Sequence, residues 1–192
     1  PPPAPSAAAR DAGWIAAIRN GDDDAYAALF RAYAGPLATY AYTIVRSRAV
    51  AQEVVQEALW KVWERRATLD IRDSVRSYLY GVTRNESIDW LRRERLHDAW
   101  KAQAAGEERV ARDVRPASPV EEETAIGEVR AAIGAAIATL PKRAREILTL
   151  RWRHQMTYPE IAAALGIAPK TVEVHVSRAL RTLRPLLRKY VD

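Results

Sequence analysis

The side chains closest to a catalytic pattern are four carboxylates, Asp70, Asp73, Glu86 and Asp89, in a segment that also carries Arg72, Arg84, Arg92, Arg93 and Arg95. Carboxylates among arginines could hold divalent cations for attack on a phosphodiester, provided that they converge within about 4 Å of shared ions. Their placement argues against this, because Asp70 and Asp73 fall on an expected loop and Asp89 is interleaved with arginines. His97, His154 and His175 are scattered and read as surface or packing residues, not ligands. The chain has no cysteine, which excludes disulfides, thiolate-bound zinc and thiol catalysis and fits a reducing cytosol. No catalytic residue, metal or cofactor is expected. What remains is recognition through charge, hydrogen bonds and rings.

The clearest recognition surface lies in TYPEIAAALGIAPKTVEVHVSRAL, residues 157–180. Ile161, Ala162 and Leu165 share one helical face, Gly166 suits the left-handed residue that ends a helix, and Pro169 suits the first turn of the next. Val172, Val176, Ala179, Leu180 and Leu183 then form a single apolar stripe. The opposite face presents Lys170, Thr171, Glu173, Val174, Ser177, Arg178 and Arg181. Two helices joined by a tight glycine turn make a helix-turn-helix, whose second helix fits a DNA major groove. Arg178 could fork onto guanine or clamp a phosphate, Glu173 could accept from a cytosine amino group, and Lys170 and Arg181 could hold phosphates. Just before it, TLPKRAREILTLRWRHQM supplies a helix with Ile147, Leu148 and Leu150 packed inward, while Arg143, Arg145, Arg151 and Arg153 add basic surface.

Charge is distributed to match. Residues 1–95 carry 14 basic against 12 acidic side chains (+2), 96–134 carry 5 against 8 (−3), and 135–192 carry 11 against 4 (+7). A basic end joined to a near-neutral body by an acidic segment suits attraction to a polyanion.

In the front half, AVAQEVVQEALWKVWERR places Ala51, Val54, Val55, Ala58, Leu59, Val62 and Trp63 on one helical stripe. Gln52, Glu53, Gln56, Glu57, Trp60, Lys61 and Glu64 form the other face. A large ring in the middle of a polar row has the character of an anchor for a protein partner. Next, SVRSYLYGVTRNESIDWLRRER interleaves Arg84, Arg92, Arg93 and Arg95 with Tyr78, Tyr80 and Trp90, a combination suited to an unpaired strand. Leu79, Val82, Thr83 and Trp90 share an inward face, and Glu86, on that same face, is expected to pair with a nearby arginine.

Taken in order, these motifs resemble the bacterial sigma-70-type initiation factors, and specifically their small extracytoplasmic-function group. AQEVVQEALWKVW resembles the polymerase-binding helix, YLYGVTRNESIDWLRR the −10 recognition helix, and LPKRAREILTLRW with the helix-turn-helix the −35 recognition domain. The resemblance implies that Gln52, Glu53, Gln56, Glu57, Trp60 and Lys61 bind RNA polymerase core, at the clamp helices of its beta-prime subunit, with the beta flap as a further contact. It implies that Asn85, with the loop of Asp70, Arg72, Asp73 and Ser74, holds a flipped-out base of the melted −10 strand, and that Arg84, Arg92 and Arg93 contact that strand's backbone. Lys170, Thr171, Glu173, Val174, Ser177, Arg178 and Arg181 would read the −35 duplex. An anti-sigma factor is a further implied partner. Tyr78 where a tryptophan is common, a short 67–74 loop, Ala168 as a weak N-cap and Glu173 where a basic residue is frequent depart from the usual pattern and bear on which promoter is read.

The expected fold is all-α, two small helical domains joined by a flexible acidic linker. The expected division is a disordered tail over 1–13, region 2 over 14–95, a linker over 96–127 and region 4 over 128–192. PPPAPSAAAR lacks the basic start and apolar core of a signal peptide, and no stretch suits insertion into a bilayer. The expected location is cytoplasmic, with the nucleoid once polymerase is bound. A LuxR-like regulator acting without polymerase is the rival reading, and it would require a receiver or ligand domain in the front half.

Overall fold

The computed structural model describes residues 6–71, 73–105 and 133–187. The chain divides into two compact units, Pro1–Val114 and Arg115–Asp192, and no strand occurs among the described residues.

Among the described residues, the first unit packs four helices, α1 (Ala7–Arg19), α2 (Asp23–Val45), α3 (Arg48–Glu64) and α4 (Val75–Ala105), with a 3-10 turn at Arg66–Thr68. Each start has a side-chain cap. Ser6 Oγ accepts from Ala9 N at 3.2 Å, Asp22 Oδ1 from Ala25 N at 2.9 Å, Ser47 Oγ from Val50 N at 3.4 Å and Ser74 Oγ from Ser77 N at 3.0 Å. α2 adds Asp23 and Asp24 in its first turn, where the helix dipole favours negative charge. α2 packs against α1, α3 and α4 with Leu29, Tyr33, Leu37 and Tyr40 buried, and in the stripe of α3 Ala51, Val54, Val55, Ala58, Leu59 and Val62 are all buried. Complete burial of a leucine such as Leu59 contributes about 1.5–3 kcal/mol.

Both ends of this unit differ from the sequence-based boundaries. The tail expected over 1–13 is helical from Ala7, because Ser6 caps an alanine run and Asp11 is buried, accepting from Tyr33 Oη and pairing with Arg10 at 3.0 Å. At the other end, α4 continues to Ala105, into the segment assigned to the linker, since no glycine or proline occurs over residues 96–105. The rest of that linker lies outside the described residues, as do the first five residues and Arg72.

In the second unit, residues 133–138 are helical and lead into α5 (Lys142–Leu148), which widens into a π turn over Thr149–Arg153. His154 is buried behind that turn, and Gln155 takes a left-handed conformation. α6 (Tyr158–Leu165) opens with a capping box in which Thr157 and Glu160 satisfy each other's backbone N–H groups. Gly166, at φ 63°, ends it, and α7 (Pro169–Leu187) follows with Pro169 in its first turn. Ile147, Leu148, Leu150, Met156, Ile161, Val172 and Val176 form the buried centre.

Candidate nucleic-acid and protein interfaces

The outward face of α7 follows from where its core stripe points. Val172, Val176, Ala179 and Leu183 are buried, so Lys170, Thr171, Glu173, Val174, Ser177, Arg178 and Arg181 are left exposed. Lys170 Nζ pairs with Glu173 Oε2 at 2.9 Å across one exposed turn, and Val174 places an apolar group among polar ones, as contact with a thymine methyl requires. Leu180, expected in the buried stripe, is 47% exposed. At about 100° per residue it stands a quarter-turn beyond Ala179, outside an arc that the other four already fill.

Of the arginines read as basic surface ahead of this helix, only Arg151 and Arg153 are exposed. Arg143 is half-buried, pairing with Glu146 at 2.9 Å and donating to the carbonyl of Leu165 at 3.0 Å. It is a structural tie, because the last carbonyls of a helix lack intrahelical partners. Arg145 is half-buried too, and Arg151 lies over the Tyr158 ring while donating to the Met156 carbonyl at 3.2 Å.

In the first unit, α3 turns Gln52, Glu53, Gln56, Glu57 and Trp60 to solvent, and Trp60 is 53% exposed. Trp63, on the other side, is half-buried with Tyr26 at 5.1 Å between ring centroids and the Arg66 guanidinium over its face. Lys61, counted with the exposed row, is only partly so. Its ammonium donates to Glu86 Oε1 on α4 at 2.7 Å and lies 3.5 Å from Glu57 Oε1. Hydrogen bonding to Glu86 is the main reason its pKa is raised above the ordinary lysine value; burial opposes this, and Glu57 adds to it. The partner expected for Glu86 was an arginine; it is this lysine, from a helix whose spacing to Glu86 no local pattern reveals.

On α4, Asn85, Arg92 and Arg93 are exposed and Arg84 is half-buried, with Arg92 held by Asp89 at 3.1 Å. Asn85 and Arg92 stand seven residues apart, two helical turns along one face. The expected inward face is confirmed for Leu79 and Thr83, which are buried, while Val82 and Trp90 are half-buried. Tyr80 cannot stack on a base: it is 1% exposed, packs on Tyr40 at 5.3 Å, and burial pushes its hydroxyl up to about 12. Tyr78 and Trp90 are the half-buried rings left near the arginines.

The loop before α4 exposes Asp70 and Asp73, while Ser74 spends its hydroxyl on the helix start, bonding both Ser77 N and Ser77 Oγ. Ser74 and Asn85 are separated by about 16 Å of helix at 1.5 Å per residue. The four carboxylates weighed as metal ligands are not assembled either. Glu86 faces Lys61 and Asp89 faces Arg92, and among the described residues no group of three acidic, histidine or cysteine side chains could hold a metal ion. No helix among them is long and apolar enough to cross a membrane.

Comparison with known proteins adds an independent line. Residues 29–97 match the family described as Sigma-70 region 2, and residues 130–183 match the one described as Sigma-70, region 4. The chain is 33% identical over 173 residues to the probable RNA polymerase sigma factor RfaY of Xanthomonas campestris pv. campestris, covering 90% of this chain but only 42% of that longer relative. It is 30% identical over 163 residues to the ECF RNA polymerase sigma factor SigL of Mycobacterium tuberculosis, covering 84% of this chain and 88% of SigL. Its fold is similar to that of the sigma factor RpoE, solved in complex with the anti-sigma factor NepR from Bartonella quintana. The TM-score is 0.59 at 23% identity, covering 85% of this chain and 96% of that one.

Proposed function

The chain belongs to the sigma-70 family, in its extracytoplasmic-function group, and from that premise we propose how its two units share promoter recognition. It directs RNA polymerase to promoters, and bond formation is left to the polymerase. We assign region 2 to the first unit up to the end of α4, a linker to the acidic segment that follows up to 127, and region 4 to 128–192.

In the first unit, the exposed row of α3 docks on the clamp helices of the beta-prime subunit, with Trp60 as the anchor and Gln52, Glu53, Gln56 and Glu57 around it. Lys61 belongs to this row through its contact with Glu57. On α4, Asn85 captures an unstacked base of the −10 strand. Arg84, Arg92 and Arg93 follow that strand's backbone, and Asp70, Arg72 and Asp73 line its approach. Ser74 serves the same segment by capping the helix. Capture offsets the few kcal/mol that unstacking a base costs, so strand opening is driven by binding.

In the second unit, α7 enters the −35 major groove. Arg178, Glu173, Val174, Thr171 and Ser177 meet base edges while Lys170 and Arg181 hold phosphates, and the beta flap of polymerase is the protein contact. The observation that carries this reading is the exposure of all those side chains on one face of α7, inside the segment that matches region 4. An anti-sigma factor is a fitting regulator, since RpoE was solved with one. A role beside polymerase calls for a cytoplasmic chain, at the nucleoid when bound. The regulator reading has no such support, because the front half matches region 2 in place of a receiver or ligand domain.

Asn85→Ala tests the division of labour. It is expected to retain polymerase binding and to lose open complex on a double-stranded promoter; normal opening by this variant would remove Asn85 from the mechanism.

A further inference from the structure

α3, whose exposed row is assigned to polymerase, and α4, whose outer face is assigned to the melted strand, are joined by an ion pair. Lys61 Nζ lies 2.7 Å from Glu86 Oε1, and on its other side 3.5 Å from Glu57 Oε1, which belongs to the polymerase-facing row. Glu86 directly follows Asn85 in sequence. The Glu86 side chain is 11% exposed and that of Lys61 31% exposed, so the pair sits at the edge of the core, out of most of the solvent.

A carboxylate withdrawn this far from water is tolerated only with a well-placed partner, and replacing such a pair by apolar groups is often neutral for stability. Its value is therefore geometric. Successive helical residues point about 100° apart, so a Glu86 held inward against α3 fixes the direction in which Asn85 points outward. In the same turn Ser87 is buried, and its Oγ donates to the Thr83 carbonyl at 2.8 Å.

We infer that Glu86 is a positioning residue for promoter opening, which through Lys61 locks the rotation of α4 against the polymerase-docking helix and so holds Asn85 at the angle that captures an unstacked base. This rests on the roles proposed above for Asn85 and α3.

The test uses the full chain assembled with core polymerase. Opening is followed by the fluorescence of 2-aminopurine in the −10 strand, and core affinity is titrated separately. Glu86→Gln keeps the shape and removes the charge. It is expected to lower the opening equilibrium about tenfold while core affinity stays within about twofold, a split typical of coupling through one salt-bridge network. Glu86→Asp, which keeps the carboxylate one methylene shorter, is expected to open promoters better than Glu86→Gln, and opening no better than that of Glu86→Gln counts against the inference. Opening by Glu86→Gln at the unmodified level overturns the inference. So does a parallel loss of core affinity and opening, which would show that the pair merely holds the unit together. If the unmodified chain itself fails to bind core or to open the promoter, the functional reading falls, and that arm separates the two failures.

Discussion

The guanidinium of Arg143 donates to the carbonyl oxygen of Leu165 at 3.0 Å, so a side chain from α5 closes the end of α6 immediately before the glycine that launches α7. The same guanidinium pairs with Glu146 one turn along its own helix. One arginine thus sets the angle between the scaffold helix and the turn of the helix-turn-helix.

Arg143→Ala should therefore cost about 1.5–3 kcal/mol, the usual worth of a hydrogen bond from a charged group. Urea unfolding followed by circular dichroism checks this. The expected result is a lower midpoint with an unchanged slope for the second unit, accompanied by weaker binding to −35 duplex although Arg143 faces no DNA. An unchanged midpoint would show that the contact with Leu165 contributes nothing.

Trp60→Ala should weaken association with polymerase core by tenfold or more, about 1.4–2 kcal/mol or above for a central aromatic anchor. Because the ring is 53% exposed in the chain by itself, the thermal midpoint should hardly move. A pull-down with core polymerase and a melting curve separate the two effects. Equal retention of core by the variant would rule out the anchor role.

Much of this was legible because helix faces write themselves into spacing. The α3 stripe from Ala51 to Val62 and the exposed row opposite it are both readable at a period of 3.6 residues, as are the Gly166 turn and the Pro169 start. What stayed hidden was set by contacts between distant segments. Tyr80 reads like Tyr78 until Tyr40 closes over it, and Glu86 has no visible reason to be paired until α3 brings Lys61 to 2.7 Å. Arg143 looks like one more basic side chain until the end of α6 arrives beside it. Leu180 has the spacing of the stripe, but the arc that the core fills stops short of it.

Arg178 and Arg181 should separate by kind of contact. Arg178→Ala is expected to cost about 1–3 kcal/mol on the preferred −35 duplex and to relax discrimination at one base pair. Arg181→Ala should weaken all duplexes alike and reduce the salt slope by about 1. Fluorescence anisotropy across a salt series reads both. Identical behaviour of the two variants would deny α7 the proposed distinction between base edges and phosphates.

The most direct measurement is run-off transcription by core polymerase, with and without this chain, on a library of double-stranded promoters. Added protein should yield transcripts from a subset of templates that share sequence at both −35 and −10, initiating at one fixed distance downstream, where core alone gives none. Binding to polymerase without any choice of start site, or no binding at all, would contradict the central claim.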